Sequence, residues 1–405
     1  MKVLEVNFAD LMGHIFNGYD LMNSLNLKKE FDIKQVVEHK KSENPNVLKV
    51  SDYSGIYYDL YKELENRCHV SHLFTGTGEQ ILQLKEYQEA DIVHFHILHN
   101  RFISLLDYPD LFNNKKSIWT IHDPWILTAN CVYPLECQKW KTFCNKCPKE
   151  GDFRYGKDNL ANSFMWDVKK NVLASINPHI VVSCDYMKQL LEQSPLTKHL
   201  TKIHEIPFGI DAGKYIYNQK IQKRKKYGLS EDKLVIGFRT GGKIKGGQYL
   251  YKALKKIKIK EPIELVVIGG EEKIGYLGNK IKVHQLGWLY EEADVIDFLE
   301  CCDIFAMPSL AETFGLMAIE AMAAGCAVIC FNNTILEKIT NSPKCGVAAD
   351  YCSVNSLKNE IERMINNPDE IKQRGKLSRK FVEETYKYDD YVRKHAQLYK
   401  EIYEE

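Results

Sequence analysis

"DIFAMPSLAETFGLMAIEAMAAG", Asp303 to Gly325, is the stretch whose reading decides the fold. "DIFAM" is a short apolar, β-prone run. It stops at Pro308, which has no N–H to give to a sheet ladder. A loop follows, and from about Gly315 the pattern turns helical. It ends at Gly325, a residue that takes the left-handed backbone of a helix terminus without strain. A continuously apolar strand followed by a helix belongs to a parallel sheet covered on both faces.

The same unit recurs outward in both directions. In the second half the strand runs are "LVIGFR" (Leu234 to Arg239), "IELVVIGG" (Ile263 to Gly270), "KVHQLG" (Lys282 to Gly287) and "CAVICF" (Cys326 to Phe331). In the first half they are "KVLEVNF" (Lys2 to Phe8), "DIVHFH" (Asp91 to His96), "SIWTIH" (Ser117 to His122) and "HIVVSC" (His179 to Cys184). A chain of 405 residues exceeds one ordinary core and suits two domains of about 200 residues each. "IPFGID" (Ile206 to Asp211) reads as the crossing between them. The expected domains are 1–207, completed by a C-terminal helix 386–405, and 208–385. Tyr388, Tyr391, Tyr399 and Tyr403 on that last helix need burial, which the first domain would supply. Both domains read as doubly wound α/β, facing across a cleft, with ligands beyond the carboxyl ends of the strands.

Composition narrows the function. Hydrophobic residues make up 44%, charged residues 27%, and the net charge is +1. That is an ordinary globular balance with no basic face for nucleic acid. The local basic runs "QKRKKYG" (Gln222 to Gly228) and "KKIKIK" (Lys255 to Lys260) read as solvated helix surfaces. The N-terminal run is too short for a secretory signal, and no apolar window is long enough to span a bilayer. A cytoplasmic protein is expected, with a peripheral contact at the inner face of the cell membrane left open.

The helix from Gly315 offers its first amides, those of Phe314, Gly315, Leu316 and Met317, to an anion. Glu312 lies just before the helix and Glu320 in its second turn, and each carboxylate can accept two hydrogen bonds from a sugar diol. Two glutamates at this spacing are common. The whole series of strand, Pro, Glu, Phe-Gly, Glu and terminal Gly is far more specific. In "GFRTGGKIKGG" (Gly237 to Gly247) Arg239 ends a strand and Lys245 follows across a glycine-rich loop. Two cations there could clamp a diphosphate and neutralise it as a leaving group. Alone, that loop would read as solvated.

These residues, "ETFGLMAIE" with an upstream "FR…KGG", resemble the retaining glycosyltransferases of family 4, which have the GT-B fold. The resemblance covers most of the chain. It implies a UDP- or GDP-sugar donor held mainly by the second domain, with Glu312 on the donor sugar, Glu320 on the ribose, and Arg239 and Lys245 on the diphosphate. "LGWL" (Leu286 to Leu289) stands where the family frames the base. It implies that no cofactor is needed for catalysis.

In the first half, His122 and Asp123 of "SIWTIHDPW" follow a strand. A neutral imidazole at that point can donate to or accept from a sugar hydroxyl, or simply cap the strand end. In the resembled family the matching histidine faces the donor sugar. His94 and His96 alternate with apolar residues and can equally be core. The first loop departs from the family's paired glycines: only Gly13 and Gly18 are present, and Gly18 is expected near the diphosphate.

"CVYPLECQKWKTFCNKCP" (Cys131 to Pro148) holds four of the twelve cysteines, Cys131, Cys137, Cys144 and Cys147. A Cys-x2-Cys pair with two more thiols can close a tetrahedral zinc shell of structural kind. Disulfides are disfavoured in a reducing compartment, and four unligated thiols remain open. "IHDPWILTANCVYPLECQKWKTFCNKCP" resembles a subgroup from exopolysaccharide and colanic-acid pathways that has a His-Asp, a Trp and four cysteines in this order. Trp125 and Trp140 would pack under the loop or stack on an acceptor sugar. The expected activity is retaining hexosyl or N-acetylhexosaminyl transfer to a glycan or lipid-linked glycan in surface polysaccharide synthesis. A sugar-nucleotide epimerase and a non-catalytic sugar-nucleotide-binding subunit are the rivals.

Overall fold

The continuously apolar runs need cover on both faces, and two all-parallel sheets provide it. The computed structural model describes residues 1–50, 56–147, 159–216, 219–270 and 272–405. Pro148 therefore lies outside the described residues. The chain divides into one unit of Met1–Phe208 with Asp389–Glu405 and a second of Gly209–Tyr388.

The first unit contains β1 (Lys2–Ala9), β2 (Asp32–His39), β3 (Val47–Lys49), β4 (Ile92–Phe95), β5 (Lys116–Thr120), β6 (His179–Val182) and β7 (Ile203–Glu205). They form one sheet in the order β3-β2-β1-β4-β5-β6-β7. β1 pairs in parallel with β2 through Val6↔Val36 and with β4 through Val6↔Phe95. All of β4 and β6 is buried. On the last helix, Tyr388–Glu404, Tyr391 and Tyr399 are buried in the first unit, whereas Tyr403 is half exposed.

The second unit contains β8 (Val235–Arg239), β9 (Ile263–Ile268), β10 (Ile281–Gly287), β11 (Ile304–Met307), β12 (Ala327–Phe331) and β13 (Val347–Ala349). Their order is β10-β9-β8-β11-β12-β13. Ile236, Phe238, Leu265, Ile304, Ile329 and Phe331 from this sheet pack against Leu250, Leu254, Leu357 and Ile361 of the covering helices. Each such side chain contributes roughly 1.5–3 kcal/mol by leaving water. In both sheets the strand order reverses at one place, between β1 and β4 and between β8 and β11. Those switch points are where an open parallel sheet exposes a crevice beyond its strand ends.

Two sequence expectations are corrected. Lys255–Lys260 follows the helix Gly247–Leu254 rather than lying on a helix. The run around Arg224 is not simply solvated. Arg224 is buried, donating to Asp303 Oδ2 and to the carbonyls of Cys301, Glu231 and Lys233, while Lys223 pairs with Asp297 and Glu300. Among the described residues no helix is long and apolar enough to cross a membrane.

Candidate active site

In the second unit β8 carries Arg239 to its carboxyl end, next to the end of β11 at Met307. A short turn, Lys243–Lys245, follows the glycine pair 241–242. Gly246 has φ +75°, and a Cβ there would collide with the carbonyl oxygen of Pro308. Only glycine permits that approach. The Leu310 amide donates to the Ile244 carbonyl at 2.7 Å. The two loops are thereby fastened together, and Lys245 Nζ meets Glu312 Oε1 at 2.6 Å.

Arg239, Lys245, Ser309 and Met317 line one small cavity. The Arg239 guanidinium lies 5.7 Å from the centre of the Trp288 ring. It has no hydrogen-bond or ion-pair partner among the described residues. A wider hollow of about 580 Å³ opens between Thr240–Lys243, Gln248, Gly270, Glu272 and Trp288. Helix Leu316–Ala323 begins at Gly315, φ +91°. Within its first turn the Ala318 amide already donates to Gly315, whereas the amides of Leu316 and Met317 have no partner among the described residues. Phe314 is buried with its ring edge-on to Tyr386, so its side chain packs the core. Glu320 is half buried in the second turn.

Arg239, Lys245, Glu312 and the start of the Gly315 helix thus converge on the β8/β11 switch point. Ser309 is a member that sequence reasoning missed. Its hydroxyl is buried with no hydrogen-bond partner among the described residues, and its signal was its place directly after the Pro308 that ends the strand.

In the first unit His122 follows β5, half buried and stacked between His96 at 5.3 Å and Phe208 at 6.0 Å. Burial lowers its pKa well below the usual imidazole value, and the nearby imidazoles of His96, His94 and His99 add to that. His94 and His96 are core histidines at the end of β4, and both reach Glu5 of β1. Burial opposes a charge on Glu5, but the two imidazoles outweigh it and hold the carboxyl well below the usual carboxylate range. Sequence reading passed over Glu5 because it sits inside an apolar strand.

Gly18, φ +90°, lies directly over this pair. A Cβ there would collide with Glu5 Oε2 and come within 2.8 Å of His96 Nε2. Gly18 is therefore needed for packing in the first unit.

Asp123 caps the turn Pro124–Leu127 and pairs with His99 at 3.1 Å. Trp125 and Trp140 are both buried, so they pack the core rather than offer faces to a sugar. Lys169 is fully buried, with its ammonium 3.3 Å from the centre of the Trp125 ring and donating to the carbonyls of Trp125 and Thr128.

Cys131, Cys137, Cys144 and Cys147 form no disulfide among the described residues and line one cavity with Trp140. Burial pushes the Cys144 thiol up to about 12, and the neighbouring Cys131 and Cys137 add to that. The sulfur donors suit zinc. Among the described residues, however, the only three ligand atoms within 4.8 Å of one another are those of Glu5, His94 and His96. No three of the thiols stand as close as a closed shell requires.

Comparison with known proteins places the second unit. Residues 219–388 match the model "Glycosyl transferases group 1". That segment is similar to the glycosyl transferases group 1 family. Two relatives are similar to part of the chain. A D-inositol 3-phosphate glycosyltransferase of Stackebrandtia nassauensis is 32% identical over 148 residues, 32% of this chain and 33% of that protein. The putative colanic acid biosynthesis glycosyl transferase WcaC of Escherichia coli K12 is 36% identical over 64 residues, 14% of this chain and 16% of that protein. The chain thus matches a third or less of the length of these two relatives. Anabaena Alr3699/HepE, solved in complex with UDP-glucose, superposes with TM-score 0.66 and 15% identity over 99% of this chain and 100% of that one. The fold is GT-B, and the segment similar to group 1 carries its second sheet.

Proposed function

We propose that the chain is a retaining glycosyltransferase. It moves a hexosyl or N-acetylhexosaminyl group from a UDP- or GDP-sugar to a glycan or lipid-linked glycan acceptor of surface polysaccharide synthesis. The observation that carries this reading is the Lys245–Glu312 pair beside the unpartnered Arg239 at the β8/β11 switch point. The UDP-glucose complex of the Anabaena protein and the colanic-acid name of the E. coli relative support it.

Arg239, Lys245 and the Leu316 and Met317 amides would hold the diphosphate, with Glu312 on the donor sugar and Glu320 on the ribose. In transfer with retention the bond from C1 to the diphosphate oxygen breaks. That oxygen takes the proton of the acceptor hydroxyl on the same face, and the acceptor oxygen bonds to C1. The two cations stabilise the negative charge that develops on the diphosphate. His122 meets a sugar hydroxyl. A structural zinc at the four cysteines belongs to the same proposal, and it requires the thiols to draw together when the metal binds. The Lys169 amine is buried near Cys144 and Cys131; burial lowers its pKa well below the usual lysine value, and negative charge on those sulfurs would raise it again.

The test is a panel of UDP- and GDP-sugars, with and without glycan acceptors, read by nucleotide release and product mass. Acceptor-dependent release with a sugar-extended product is expected. Interconversion of the donor without transfer would make the protein an epimerase, and silence with every pair would leave it a binding subunit.

A further inference from the structure

Glu5, His94, His96, Tyr399, Thr120 and His122 form one continuous hydrogen-bonded chain in the first unit, and all but His122 are buried. Tyr399 Oη lies 2.8 Å from Glu5 Oε1 and 2.7 Å from His94 Nδ1. Thr120 Oγ1 lies 2.7 Å from His94 Nε2. On the other side His96 Nε2 bonds Glu5 Oε2, and His96 Nδ1 lies 3.0 Å from His122 Nε2. Every imidazole nitrogen of His94 and His96 already has a partner. The set is therefore a hydrogen-bond network rather than three ligands waiting for a metal.

An ionised carboxylate only accepts, and this fixes each proton in turn. Tyr399 donates its O–H to Glu5, so its oxygen accepts from His94 Nδ1–H, and the Thr120 hydroxyl donates to His94 Nε2. His96 donates Nε2–H to Glu5, which leaves its Nδ1 as an acceptor. His122 must then donate Nε2–H to His96. We infer that Glu5, acting through His96, locks His122 into the tautomer that carries its proton on Nε2, so that Nδ1 meets the substrate as a hydrogen-bond acceptor and the group it recognises is a hydroxyl donor. Glu5 and His96 are positioning residues, and Gly18 leaves them the space. The inference rests on the proposed transferase reading only for its catalytic consequence.

Burial supports the ordering. It holds His96 down to about 4, with the neighbouring His94 adding to the effect, and lowers His122 as well. Both rings are then neutral at neutral pH, where a neutral imidazole has one donor and one acceptor nitrogen.

The experiment is ring-nitrogen NMR of the full chain labelled with 15N-histidine, at neutral pH. The expected pattern is protonated Nδ1 on His94 and protonated Nε2 on both His96 and His122. Glu5→Gln keeps the shape. Its amide oxygen can still accept from Tyr399 while its NH2 donates to His96 Nε2. That reverses the chain and moves the His96 and His122 protons to Nδ1. Turnover should fall about 10-fold or more, as for loss of a correctly protonated catalytic group, with the donor KM within about 2-fold. A wild-type His122 protonated on Nδ1, or a Glu5→Gln protein that keeps the wild-type tautomers, overturns the inference. Reversed tautomers with unchanged turnover would leave the network standing and remove His122 from the reaction.

Discussion

Glu312 Oε1 pairs with Lys245 Nζ at 2.6 Å. An incoming diphosphate must therefore compete for an ammonium that is already paired. The pair is mostly buried, with side chains 21% and 10% exposed. Such partly screened pairs are worth about 0.5–1 kcal/mol. Glu312→Gln should release Lys245 and tighten binding of the bare nucleotide diphosphate by about 2- to 5-fold, while turnover falls by about 10-fold or more as the sugar contact is lost. Calorimetry with UDP and GDP beside initial rates checks this, and weaker nucleotide binding would show that Glu312 itself holds the nucleotide. Arg239, Lys245 and Glu312 were legible in the sequence because Arg239 ends an apolar strand and Lys245 and Glu312 lie in loops that follow one, where a charge has no packing role. Glu5 was not legible. A glutamate between Leu4 and Val6 gives no sign that two imidazoles and a phenol from distant elements will close around it.

At the scale of elements, the strand–loop–helix from Asp303 to Gly325 was readable almost to the residue, since proline and glycine punctuate both ends. β2, β3, β7 and β13 were not. β3, β7 and β13 are three-residue edge strands, too short to show a period. β2, "DIKQVVEH", mixes charge with burial, and its buried Gln35 donates to the Asn17 carbonyl. The cysteine loop tests the same limit. Spacing announces four thiols in one place, and the shared cavity is there, but spacing cannot say how far apart the sulfurs stand. With zinc the purified protein should hold about one metal per chain, and binding should release protons, because the Cys144 thiol is protonated when its pKa stands near 12. Cys144→Ser should lose the metal and loosen the loop after Trp125, read by proteolysis, while nucleotide affinity persists. Metal-free protein with four freely titrating thiols and full activity would rule zinc out.

For the whole molecule, the alternation of apolar strands with helices was enough to show two doubly wound sheets. The distribution of titratable groups then gives the two units different responses to acid. Of the thirteen histidines only His284 lies in the second unit. In the first, burial lowers His72 and His122 well below the usual value, and holds His96 at about 4 and His395 at about 3. A histidine whose folded pKa is depressed binds its proton more readily when unfolded. Stability therefore falls as pH drops below the unfolded value near 6.5, and it goes on falling until the folded pKa is reached. Between pH 7 and pH 5 His96 and His395 each remove about 2 kcal/mol, and His72 and His122 act in the same direction. Asp107 works in the opposite direction. Burial raises it to about 6, so its protonation returns about 1 kcal/mol over the same interval. The net loss is of the order of a domain's whole stability. Hydrogen exchange followed segment by segment at pH 7 and pH 5 should show β1, β4 and β5 losing protection while β8, β9 and β11 keep theirs. Equal loss in both sheets, or none in the first, would mean that these imidazoles are not held neutral by burial, and the proton ordering around Glu5 would lose its support as well.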